Sequence, residues 1–382
     1  MQAEAGPQTG AAATTAGAAD CILVERGFGP EGSVEVRAEE VVDGLEVPWG
    51  IAFLPQGDLL VTERPGRLRL VELGVDGGRL VPEPVASVEA EAVGEGGLLG
   101  IALHPEFESN RTFFLYVTVG ARGAPKNRLE RWRLAPDARS ATREGIVVDD
   151  VPAARYHNGG RLRIGPDGML WVGTGDAGEP ERAQDRRSLA GKLLRLSPDG
   201  EVPPDNPFPG SPVYLLGIRN TQGFDWPGAE AETVWLTDHG PSGEMGRSGH
   251  DEVTVAGAGE NLGWPPIWGC RTGPGMVTPS LTWERAVPPG GAAVYTGDAI
   301  PEWRGDLLVG SLGARHLHRV VFGEGEPPRV ERHEVYFGGR DGLGRLRDVV
   351  MGPNGDLWVT TSNCDGRGRC PPEGDRILRI TR

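Results

Sequence analysis

Apolar and polar positions alternate in short runs along this chain, and the runs come in pairs. WGIAFLPQGDLLVTE starts at Trp49, LGIALHPEFESNRTFFLYVTV at Leu99 and GRLRIGPDGMLWVGTGD at Gly160. QGFDWPGAEAETVWLTDHG starts at Gln222, AAVYTGDAIPEWRGDLLVGSL at Ala292 and RDVVMGPNGDLWVTTS at Arg347. Alternation with period two predicts a strand. The Pro, Gly, Asp and Asn between the two runs supply the dihedrals of a tight turn. Each pair therefore predicts a β-hairpin, and six copies recur at roughly 50–75 residue spacing. Further strands such as GRLRLVEL and HLHRVVF follow the hairpins. The prediction is an all-β, six-bladed β-propeller with four-stranded antiparallel blades. A sandwich has no need of one hairpin six times. The stretch ERAQDRRSLAGKLLRL opens on a helical turn. Residues 21–382 read as a single propeller domain, and residues 1–20, rich in Ala, Gly and Thr, as a disordered linker or processed N-terminus.

Composition sharpens this picture. The chain of 382 residues holds 60 Gly and 33 Pro, which suits many short strands and turns. A net charge of −15 argues against nucleic acid and against anionic membrane surfaces as partners. No apolar run is long enough to cross a membrane. The first 20 residues lack the apolar stretch of a signal peptide. Cys364 and Cys370 flank DGRGR, a loop that a disulfide can close, and elimination leaves Cys21 with Cys270. Such bridges would imply an oxidising compartment.

The inner strands of a propeller converge on its axis, so the residues at the head of each hairpin are the candidates for chemistry. Those residues differ from repeat to repeat. GEGGLLG supplies Glu95, YHNGGRL supplies His157, and GIRNTQG supplies Arg219, Asn220 and Gln222. TDHGPSG supplies Asp238, His239, Gly240 and Pro241, and GLGRLRD supplies Arg345 and Arg347. Three arginines in an acidic chain fit a planar anionic ligand, because guanidinium is a rigid fork of donors. The competing reading is that each pairs with Asp348, Asp225 or Glu302. His104 and His316 read as structural or exposed, and His239 as a shaper of its loop. GTGDAG at 173–178 lacks the context of a nucleotide-binding loop.

The ordered set EGGLLGIALHPEF, YHNGGRLRIGPDGMLWVGTGD, GKLLRL, LGIRNTQGFDW, TDHGP, DEVTVAGAGENLGWP and RLRDVVMGPNGDLWVTTSN resembles the soluble PQQ-dependent aldose sugar dehydrogenases, the glucose/sorbosone dehydrogenase family. The likeness runs from about Leu45 to the C-terminus. It implies pyrroloquinoline quinone (PQQ) and Ca²⁺ on the axis, and oxidation of the anomeric hydroxyl of an aldose to the lactone by hydride transfer to the quinone. It implies that His157 is the catalytic base and that Arg219 and Asn220 contact the quinone. Arg345 and Arg347 match the family's contacts to the cofactor carboxylates, and Gly240 and Pro241 its metal-binding carbonyls. Glu95 falls near cofactor and sugar, and Trp283 matches a pocket aromatic. An external electron acceptor, a periplasmic or extracellular location and a monomer or homodimer follow as expectations. Three departures stand out: Gly313 replaces a cofactor-contacting lysine, with Arg315 two positions on; the Thr after the pocket Trp has no clear match; and Tyr156 stands where some members have Asp beside the histidine. The alternatives are a calcium-dependent lactonase-like hydrolase and a non-catalytic carbohydrate- or protein-binding propeller.

Overall fold

The structure is a computed structural model and describes residues 20–75, 77–120, 123–339 and 342–382. All but one residue of the 1–20 segment therefore lies outside the described residues. Six sheets stand around a common axis, four of four strands and two of five. Every hairpin expected from the alternation forms the two inner strands of one blade. The inner strands are Pro48–Phe53, Leu98–Leu103, Leu162–Ile164, Gly223–Asp225, Pro289–Val294 and Leu346–Met351. The turns use the residues the sequence offers: Gly57 sits at φ +105° and Gly168 at +73°, where a side chain is disfavoured.

Second strands such as Leu59–Glu63 and Thr112–Val119 are buried along their whole length. Blades pack on both faces, so these strands are buried on both sides, whereas outer strands such as Ala141–Pro152 stay largely exposed. The core is accordingly divided. One apolar cluster fills each of the six interfaces between adjacent blades. Phe113 and Leu60 meet between the first and second blades, and Trp358 and Leu59 between the sixth and the first.

The ring closes on an early strand. Arg37–Leu45 pairs antiparallel with Asp375–Thr381 and becomes the outer strand of the last blade. A second early strand, Ile22–Val24, runs parallel to Leu281–Trp283 on the outside of the fourth blade. Cys21 is disulfide-bonded to Cys270 there, and Cys364 to Cys370 in the sixth blade. Arginines cross the axis. Arg161 of the third blade pairs with Asp348 of the sixth at 2.8 Å and donates to the Gln222 carbonyl at 2.7 Å. Arg163 donates to the carbonyls of Phe224, Ala292 and Val349, one in each of the next three blades.

Candidate active site

In an antiparallel hairpin the residues before the first strand and after the second emerge at the same edge. Both sets therefore build one face of the ring. His157 precedes the third inner strand and is 7% exposed. It holds φ +62°, and Gly159 and Gly160 follow at +61° and +107°. A Cβ at Gly159 would come within 2.5 Å of Thr174 Cα, so only glycine lets the backbone pass here.

His157 Nδ1 lies 2.6 Å from Asp176 Oδ1. Asp176 is fully buried, and its other oxygen accepts the Trp264 indole N–H at 2.9 Å. A carboxylate accepts, so Nδ1 carries a proton, and in the neutral ring Nε2 is the basic nitrogen. Nε2 faces Glu244 Oε1 at 3.8 Å. The same oxygen pairs with Arg219 Nη2 at 2.6 Å. Burial raises the Glu244 pKa, but Arg219 and the Ser242 amide hold it below the usual carboxylate range.

Asp238, at the end of the second strand of the fourth blade, anchors the Arg219–Asn220 backbone. Its oxygens accept both amides, at 2.8 and 2.6 Å, and burial pushes its pKa up to about 7 against them. The Arg219 guanidinium lies over the Trp264 ring, 5.5 Å from its centroid. Asn220 Oδ1 accepts the Gly159 amide at 2.9 Å and so ties the arginine's blade to the histidine's. His239 donates Nε2–H to the Pro289 carbonyl at 2.6 Å, and burial holds it neutral by lowering its pKa. This bond ties its loop to the fifth blade.

On the opposite side, Asp365 Oδ2 accepts from Arg345 at 2.7 Å and lies 3.5 Å from Arg347. Arg347 also donates to Gln222 Oε1. Burial, with Arg345 and Arg64 close by, pulls Arg347 down to about 9 although Asp365 opposes the shift. Arg64 donates to the Gly94 carbonyl. Burial also acts on Glu95 and would raise its pKa; the His157 amide and Arg367 hold it down instead.

Of the sequence-derived residues, Glu95, His157, Arg219, Asn220, Arg345 and Arg347 are joined in this network; Gly240, whose amide donates to Asp251 at 3.0 Å, and Pro241 follow His239 on the loop after the second strand of the fourth blade. Trp283 is not brought to it. Trp283 lies on the outer strand of the fourth blade, where its indole N–H donates to the Phe28 carbonyl at 3.0 Å. It meets the His318 ring edge-on at 4.8 Å. His318 is the middle of a buried stack, 3.1 Å from a ring nitrogen of His316 on one side and of His333 on the other. Gly313 and Arg315 are both exposed. Tyr156 is exposed too, and the acid partner of the histidine comes from Asp176 instead. Asp176 belongs to GTGDAG, the run that follows the second strand of the third blade. Arg64, Asp176, Asp365 and Arg367 all follow a second strand. That shared position is the signal that finds them.

A six-bladed ring with a carboxylate-oriented histidine and clustered arginines at its axis is a propeller with a built axial site. The glucose/sorbosone dehydrogenase family matches residues 45–378, so the chain belongs to that family and is an oxidoreductase. The aldose sugar dehydrogenase YliI of Escherichia coli (strain K12) is 32% identical over 87% of this chain and 91% of its own length. A solved structure from Thermus thermophilus, of a putative oxidoreductase (glucose dehydrogenase), is 43% identical, with a TM-score of 0.81, and covers 91% of this chain and 100% of that one. The PQQ-bound aldose sugar dehydrogenase of Streptomyces coelicolor is 33% identical, with a TM-score of 0.78, over 93% and 99% of the two chains.

Proposed function

We propose that this protein oxidises the anomeric hydroxyl of an aldose to the lactone, with PQQ and Ca²⁺ as cofactors and His157 as general base. The observation that carries the reading is the His157–Asp176 pair, whose free Nε2 faces the same carboxylate oxygen as Arg219. The residues fit the cofactor. Arg345 and Arg347 share the single carboxylate of Asp365, and the Nε groups of Arg64 and Arg219 are buried without a partner. This surplus of donors suits a planar group carrying carboxylates of its own. It also favours the quinone over a lactonase-like hydrolase, because the axial set is richer in Arg than in the carboxylates that such an ion site needs.

Arg219 and Asn220 would hold the quinone, Arg345 and Arg347 its carboxylates, and the Gly240 and Pro241 carbonyls the Ca²⁺ ion, which takes oxygen ligands. When bound, the quinone accepts the hydride and the ion polarises its carbonyl. His157 Nε2 takes the hydroxyl proton. Asp176 keeps the ring in the required tautomer and stabilises the imidazolium that forms. Arg219 balances negative charge that develops opposite the base. Glu95, beside the base, borders the cofactor and the sugar. An external electron acceptor would take the electrons onward. The two disulfides support a periplasmic or extracellular location.

The test is reconstitution with PQQ and Ca²⁺, followed by aldose-dependent reduction of an artificial dye. Turnover that His157→Ala largely abolishes, with PQQ binding preserved, supports the reading. Absence of both PQQ binding and turnover overturns it.

A further inference from the structure

The loop of residues 364–370 is closed on itself and anchored to the sixth blade. Its ends are joined by the Cys364–Cys370 disulfide. The Cys364 amide donates to Asp375 Oδ2 at 3.1 Å, and Asp365 holds Arg345 at 2.7 Å. Gly368 packs so closely that a Cβ there would lie 2.5 Å from the Asn363 carbonyl oxygen and 2.7 Å from Arg345 Cδ. The loop is thus fixed to its own blade at several points.

From this base Arg367 reaches across to the second blade. Its Nη1 lies 2.8 Å from Glu95 Oε1. The other oxygen of the same carboxylate, Oε2, accepts the main-chain N–H of His157 at 3.0 Å. His157 is a non-glycine residue at φ +62°. Such a backbone persists only where its surroundings over-determine it. Arg367 is 56% exposed, so the ion pair adds little to global stability. What it fixes is direction, because one oxygen of Glu95 is held by Arg367 while the other faces the amide.

We propose that Arg367 is a positioning residue for the base: the disulfide-closed loop presents it to Glu95, and Glu95 in turn holds the His157 backbone. This rests on the reading of His157 as the base. The consequence is local to the third-blade hairpin head and to the proton-transfer step, and it leaves the arginines assigned to the cofactor in place.

The test uses the full chain, with Arg367→Ala, Arg367→Lys and a Cys364→Ser/Cys370→Ser double variant; Arg367→Gln replaces the alanine variant if that one fails to fold. Hydrogen–deuterium exchange of the peptide spanning 155–160 reads the Glu95–His157 bond with no cofactor or substrate present. Exchange there is expected to quicken about tenfold in Arg367→Ala and in the double variant, and to return close to wild type in Arg367→Lys. In protein loaded with PQQ and Ca²⁺, kcat is expected to fall about tenfold in Arg367→Ala, the size of a small displacement of the base. PQQ affinity should stay within about threefold, and lysine should recover most of the rate. Unchanged exchange at 155–160, or a loss of kcat that lysine does not recover, overturns the proposal. Wild-type protein that binds no PQQ overturns the proposed function instead, and the exchange result alone then decides the role of Arg367.

Discussion

Asp176 Oδ1 lies 2.6 Å from His157 Nδ1, and the indole of Trp264 holds the other carboxylate oxygen at 2.9 Å. The histidine is thereby fixed in both tautomer and ring orientation by a residue 19 positions further along the chain. Asp176→Asn removes the acceptor that keeps the proton on Nδ1. Its kcat should fall about a hundredfold or more, while PQQ binding changes little, because the wrong tautomer presents a donor where a base is needed. Steady-state kinetics beside a cofactor titration check this. A kcat within a few-fold of wild type would remove Asp176 from the role.

Glu244 occupies the guanidinium face of Arg219 and faces the free nitrogen of His157. An anionic ligand that uses Arg219 has to displace that carboxylate. Glu244→Ala is therefore expected to tighten PQQ binding by about two- to fivefold, the size of one part-exposed ion pair no longer broken. Weaker binding in an equilibrium titration would mean that Glu244 helps to hold the ligand.

Asp348 is buried against Arg161, which spans from the third blade to the sixth. Asp348→Ala leaves that guanidinium in the channel without its countercharge. The expected loss is about 3–5 kcal/mol of unfolding free energy, measured by chemical denaturation. A loss below about 1 kcal/mol would show that the strut is solvated.

The stack of His316, His318 and His333 makes stability depend on pH. Burial lowers all three pKa values, that of His316 to about 4 and that of His318 well below its ordinary value. A group whose folded pKa is depressed binds protons more readily when unfolded. Its contribution is complete above the unfolded value of about 6.5 and is lost as pH falls from there toward 4. Buried Asp238 and Asp251, raised to about 7 and about 6, act in the opposite sense, favouring the fold at low pH and losing that contribution as pH rises. The stack is therefore isolated by difference. Melting temperatures of wild type and His318→Gln should converge between pH 7 and pH 4.5. Parallel curves would rule the stack out as the source.

The fold was legible because a propeller repeats one local instruction. Leu59–Glu63 and Leu357–Thr361 are each preceded by the same kind of turn, and local alternation predicts both without any long-range knowledge. Half the site was legible for the same reason: Glu95, His157, Arg219 and Arg345 stand at hairpin heads. The other half follows the second strands, where Arg64, Asp176 and Asp365 are brought in by antiparallel pairing. Trp283 shows the limit of reading by position. Its register against Val24 sends the indole toward Phe28 and His318, a partnership set by a chain segment more than 250 residues away.

The pairing of Arg37–Leu45 with Asp375–Thr381 has a consequence for how the molecule is made. The last blade cannot be completed until the C-terminal strand has left the ribosome, by which time the other five have been synthesised. Loop closure over such a distance is slow. Arg161 and Arg163 find their sixth-blade partners, Asp348 and the Val349 carbonyl, only at that step. Assembly of the axial channel is thus coupled to closure of the ring, and a chain lacking Asp375–Thr381 loses the partner strand that seals it.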